Sequence, residues 1–143
     1  ATNHLPINIR SGINQGMSLQ VKLGDQPPHA ELIGTGEVLA ADLVAAVKQI
    51  FSDPARTATF SYVLYDYTGV VQFQMGQRDV YELCEVEWVA AQARPDLVLC
   101  IAAPDNLLAS LERLWGAHAP FKKTWTIQVF HVRAEADAWL KTR

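Results

Sequence analysis

A mixed α/β fold, with a mostly parallel sheet of about five strands and four helices in the order β-β-α-β-α-β-α-β-α, is expected from three observations. The apolar period changes from two to that of a helix between Leu23 and Leu39, and returns to that of a strand at Ser61. The run Leu97–Ala103 is continuously apolar with turn residues at each end, as in a strand covered on both faces. Strand-like and helix-like stretches then alternate with short breaks, which implies parallel strands joined by helical crossovers.

The elements follow in order. Residues 1–16 are rich in Asn and Gly and read as an N-terminal arm or an extra edge strand; Met17 is a candidate natural start. The domain proper is residues 17–143. Ser18–Leu23 alternates, with Leu19, Val21 and Leu23 on one side, and Gly24–Pro28 is a turn. Ala30–Gly36 is a second strand, antiparallel because the connection is short, and Gly34 and Gly36 suggest a bulge or a tight exit. Leu39, Leu43, Val47 and Ile50 fall at helical spacing, and Ser52-Asp53-Pro54 ends that helix.

The central strand is Ser61–Tyr65, and a loop runs from Asp66 to Arg78. The second helix starts between Gly76 and Asp79 and reaches Ala93, with Val80, Leu83, Cys84, Trp88 and Ala91 inward. Glu82, Glu85 and Glu87 read as a solvated face. A third helix follows Asp105 and Asn106, which suit a cap, and buries Leu107, Leu108, Leu111, Leu114 and Trp115. Trp125–Val132 is the last strand, and Glu135–Lys141 a terminal helix holding Trp139 and Leu140 inward.

Composition narrows the function. Twelve basic against fifteen acidic residues give a net charge of −3, which argues against nucleic acid or an anionic membrane as the main partner. Cys84 and Cys100 share no metal-site or redox spacing and read as small buried hydrophobes. No stretch is long and apolar enough to span a membrane, and the first residues lack the basic and apolar regions of a signal peptide, so a cytoplasmic location is expected. His118 and His131 have no acid or Cys at ligand spacing, so neither metal nor cofactor is expected. No GxSxG, HExxH, GxGxxG or phosphate-loop pattern occurs, and the expectation is a protein that is not an enzyme.

Asp66 ends the central strand, where α/β sheets usually build sites. Its carboxylate could bind a ligand, or receive the backbone N–H groups of the Thr68-Gly69 turn. Asp105, at the neighbouring strand end, could converge on Asp66 or simply cap a helix. Arg113 could hold a carboxylate or phosphate, or pair with Glu112. Gln72, Phe73, Gln74 and Met75 are apolar or uncharged and suit an adaptable contact, with Arg78 at their end.

Several stretches together resemble the STAS superfamily, the fold of bacterial anti-sigma-factor antagonists, in its branch of small proteins of unknown function also compared with Sec14-type lipid-binding domains. They are Gly34-Thr35-Gly36-Glu37-Val38, Val63–Val70, Leu111-Glu112-Arg113-Leu114-Trp115, and Val129-Phe130 followed by Ala136–Leu140. The resemblance covers roughly residues 19 to 141. It implies a non-enzymatic binding or regulatory module. Phosphoswitch members carry a "DSSG"-like element with a phosphorylated serine where Phe73-Gln74-Met75-Gly76 stands here, so that switch is absent. Thr68 is the nearest hydroxyl.

Two functions are therefore expected in outline. One is a module that docks a protein partner or a second copy of itself through the Asp66–Arg78 loop and the start of the second helix. The other is a carrier of a lipid or small acidic apolar ligand between sheet and helices, with Arg113, Lys122 or Lys123 on the head group.

Overall fold

A computed structural model describes the backbone of residues 7–9, 18–115 and 124–143, and the side chains of 18–111 and 124–143. The elements are β1 (Ile7–Ile9), β2 (Leu19–Asp25), β3 (Pro28–Leu39), α1 (Ala40–Ile50), α2 (Pro54–Thr59), β4 (Tyr62–Gln74), α3 (Gln77–Ala93), β5 (Val98–Ala102), α4 (Asp105–Trp115), β6 (Thr126–Phe130) and α5 (Arg133–Leu140). One six-stranded sheet has its strands in sequence order. β1, β2 and β3 pair antiparallel, and β3 through β6 pair parallel.

The expected fold class therefore holds, with six strands rather than about five and five helices rather than four. The extra strand is Ile7–Ile9, paired with Leu19–Val21. The extra helix is α2, hidden in the sequence because Asp53-Pro54 reads as a terminator. It is also a start signal: Asp53 Oδ1 accepts the Ala55 N–H at 3.0 Å, and Pro54 stands in the first turn.

Strand alternation sorts side chains between two faces. Leu19, Val21, Ala30, Leu32, Val63, Tyr65, Leu99 and Ile101 face the main core, beneath α1, α3 and α4. The opposite face carries Leu64, Cys100 and Ala102, covered by Ala136, Trp139 and Leu140 of α5. Both cysteines are buried thiols, and burial pushes that of Cys100 up to about 12. β5, buried at every position, is the fully covered strand that its apolar run announces.

The largest departure is the length of β3 and β4. The segment expected to exit the sheet at Gly34–Gly36 continues to Leu39, and the loop expected after Asp66 is strand through Gln74. The two extensions pair with each other from Thr35 and Gly69 to Leu39 and Gln74. Gly34 is needed for the approach, because a Cβ there would stand 2.7 Å from Val70 Cγ2. Gly36 has φ +66°, the left-handed conformation that glycine adopts freely.

Candidate functional site

Register explains why the β4 extension reads as a loop. Ile33 pairs Asp66 but Thr35 pairs Gly69, and Gly36 pairs Val70 but Glu37 pairs Gln72. β4 thus carries one extra residue at each of two bulges. Without them the inward positions would be spaced by two; with them Tyr65, Tyr67, Val70, Phe73 and Met75 all turn to the core at spacings of two, three, three and two.

The second bulge leaves Val71 without a partner on β3 and 72% exposed. Gln72 and Gln74 are exposed as well, and Gln74 Nε2 donates to Glu37 Oε2 at 3.0 Å. Phe73 and Met75, expected to offer the contact surface, are half-buried instead. Phe73 meets the Tyr67 ring edge-on at 4.9 Å between centroids. Because β5 pairs β4 only from Val63 to Asp66, the other edge of β4 beyond Asp66 faces no strand among the described residues.

The extension runs into α3. Gly76 caps it, its N–H donating to Asp79 Oδ2 at 2.8 Å. Arg78 is exposed, and Tyr81, Trp88 and Val89 lie on the outward face of the helix. Trp88 was expected inside. Glu87 takes that inward position, whereas Glu82 and Glu85 are solvated as expected.

Asp66 does what a turn-binding aspartate does. Its Oδ1 accepts the Thr68 N–H at 3.0 Å and the Thr68 hydroxyl at 2.7 Å. Its Oδ2 accepts from Arg133 Nη1 at 3.0 Å, and the same nitrogen donates to Glu31 Oε2 at 2.7 Å. Arg133 Nε donates to Asp137 Oδ1 at 2.8 Å. Burial works to raise the Asp66 pKa, but the Thr68 and Arg133 donors outweigh it and hold the carboxyl below its usual range. Burial likewise disfavours the Arg133 cation, and its three carboxylates outweigh that, raising its pKa. The cluster clamps α5 onto β3 and β4.

Asp105 lies in the first turn of α4 rather than at its cap, and its Oδ1 stands 2.9 Å from His131 Nδ1. Asp66 and Asp105 thus have separate partners. The side chains of Arg113, Lys122 and Lys123 lie outside the described residues, as does His118.

Sequence reasoning missed two groups. Arg133 and Asp137 were legible as a helical i, i+4 pair, but Glu31 looks solvated until α5 covers its face. Glu87 is buried in the main core, where it accepts the Tyr65 hydroxyl at 2.8 Å on Oε2. Burial pushes Glu87 up to about 7, against the pull of that hydrogen bond. Burial and then Glu87 raise Tyr65 well above its ordinary value, and Tyr67 shifts the same way for the same reasons. Only the position of Glu87 on the apolar side of its helix hinted at this.

Two cavities bear on the carrier expectation. Between β4 and α1, α3 and α4 lies a cavity of about 10 Å³, room for one water and not for a lipid. A groove of about 860 Å³ lies elsewhere, lined by Pro27, Tyr62, Arg94, Val98, Leu140, Lys141 and Arg143 among others.

No family model and no curated protein matches the chain. Among solved structures it is similar to an uncharacterised protein of the DUF3478 family with a SpoIIAA-like fold from Shewanella loihica PV-4. The two share 11% identity at a TM-score of 0.54, over 90% of this chain and 99% of the other. The chain therefore has the SpoIIAA-like fold, which is the fold of STAS domains and anti-sigma-factor antagonists.

Proposed function

We propose that the protein is a non-enzymatic docking module with a regulatory role in the cytoplasm. It works through the part of β4 beyond Asp66 and the first turns of α3, on a protein partner or a second copy of itself. The observation that carries this reading is the outer edge of distal β4. It is uncharged from Tyr67 to Gln77, pairs with no strand among the described residues, and holds Val71 out to solvent beside Gln72 and Gln74. An edge without charge lacks one of the usual guards against strand addition, and in the first turns of α3 Tyr81 is exposed, a residue type that interfaces favour.

The test compares what immobilised wild type and Val71→Lys retain from a lysate of cells expressing the protein, with light scattering for self-association. A protein or second copy held by the wild type and lost from the variant supports the reading. Identical retention and identical mass overturn it.

A carrier of an acidic apolar ligand is the second reading, favoured by the 860 Å³ groove at the start of β4 and β5. Its lining includes the apolar Tyr62, Val98 and Leu140, the cations Arg94, Lys141 and Arg143, and the acid Asp137. Its size suits a small ligand. Native mass spectrometry with added fatty acid should show a bound species that the double variant Lys141→Glu, Arg94→Glu does not hold; absence of binding in the wild type removes this reading.

A further inference from the structure

Glu87 is a carboxyl group set in an apolar wall. It is 2% exposed and lines the cavity of about 10 Å³ between β4 and the helices, and its Oε2 accepts the Tyr65 hydroxyl at 2.8 Å. α1 brings Leu43 and Val47 to that wall, and α4 brings Leu111. The titratable groups that face Glu87 there are Tyr65 and Tyr67, both from β4, and no cation or second acid joins them among the described residues. Asp42 of α1 does not line the cavity, and the Lys48–Glu82 pair between α1 and α3 stands about half in solvent. Tyr67 of distal β4 and Met75 just after it close the cavity on the strand side.

We propose that Glu87 is a pH-sensitive latch: protonated, it keeps distal β4 and the first turns of α3 closed over the core, and ionised, it lets them open locally. A carboxylate in this wall meets no cation to offset its lost hydration, so ionisation favours any state that returns it to water. Distal β4 is the cover most easily moved. Beyond Asp66 it pairs with β3 alone among the described residues, and the half-exposed Met75 and exposed Gly76 join it to α3. Burial outweighs the Tyr65 bond and holds the Glu87 carboxyl at about 7, against an ordinary 4.5. Opening restores the ordinary value, so the closed state is fully favoured below it and loses that advantage as pH rises through 7. The regulatory consequence rests on the docking reading, since the strand released is the one that docks; the latch itself needs no partner, so the two fail separately.

The experiment is native-state amide exchange by NMR at about pH 5 and about pH 8, corrected for intrinsic exchange rates, on wild type and Glu87→Gln with no partner present. In wild type the opening constant of the Tyr67–Gln74 amides should rise at least about tenfold between the two, and at the higher pH exceed that of Val63–Asp66. In Glu87→Gln it should stay level. A level wild-type constant, a rise that persists in Glu87→Gln, or distal amides that open only as often as Val63–Asp66 overturns the latch. Should Glu87→Gln fail to fold, Tyr65→Phe replaces it. Loss of the Tyr65 donor raises the pH at which the carboxyl ionises, so the rise should move to higher pH, and a rise at unchanged pH overturns the proposal.

Discussion

Arg133 shows how one side chain can seat a helix. Its guanidinium bonds three carboxylates from two strands and its own helix, so truncation would strand Glu31 and Asp66 as buried acids. Breaking such a cluster costs about 3–5 kcal/mol when fully buried; with Arg133 one-third exposed, we expect Arg133→Ala to lose roughly 2–3 kcal/mol in urea unfolding. Arg133→Lys should recover little, because a single ammonium cannot reproduce the fork. The lowered Asp66 pKa means this contribution is present above the usual carboxylate range and is lost as pH falls through it. Glu87 has the opposite sign. Its folded pKa of about 7 exceeds the ordinary 4.5, so the stability it contributes is full below that lower value and is lost as pH rises through 7. Glu87→Gln should flatten that decline, gaining roughly 2–3 kcal/mol over wild type at about pH 8, measured by thermal unfolding across pH. A wild-type stability that stays level from about pH 5 to 8 would contradict the assignment.

At the scale of the element, distal β4 joins two properties in one strand: Tyr67, Val70, Phe73 and Met75 anchor it to the core, and Val71, Gln72 and Gln74 face outward. Val71→Lys should therefore leave stability within about 0.5 kcal/mol, as surface changes do. Phe73→Asp should cost roughly 1–3 kcal/mol by placing a charge against Tyr67, so it reports on folding rather than docking. Gly34→Ala should cost about 1–3 kcal/mol, since Val70 must move. Regular elements were legible from the sequence in outline: α1 and α3 from helical spacing and β5 from its continuous apolar run, although Leu39, which ends β3, and Trp88 were read as inward on those helices and are exposed. Distal β4 was not, because its two bulges break the period and leave a pattern that matches neither strand nor helix. α2 was lost for a related reason, its cap and proline serving equally as the end of α1. The bond of Asp66 to Thr68 was one of two alternatives read from the sequence, but Asp66 lies inside β4 and not at its end, and its bond to Arg133 joins residues 67 apart, beyond any local pattern.

Across the whole molecule the two faces of the sheet differ in cover. Three helices seal one face, while the short α5 covers the other through Ala136, Trp139, Leu140 and the Arg133 cluster. Native-state hydrogen exchange should show β6 and α5 opening at lower free energy than β3, β4 and β5. The SpoIIAA-like fold supplies this frame, and in this chain the β3–β4 pairing continues beyond Gly34 and Asp66, where pairing with β2 and β5 ends. Whether that extension is the working surface is tested most directly by photo-crosslinking in cells, with a benzophenone residue placed at Gln72 or at the exposed Glu135 of α5. Docking through distal β4 predicts a discrete cross-linked species from position 72 and none from position 135. Cross-links from position 135 alone, or none from either, would contradict it.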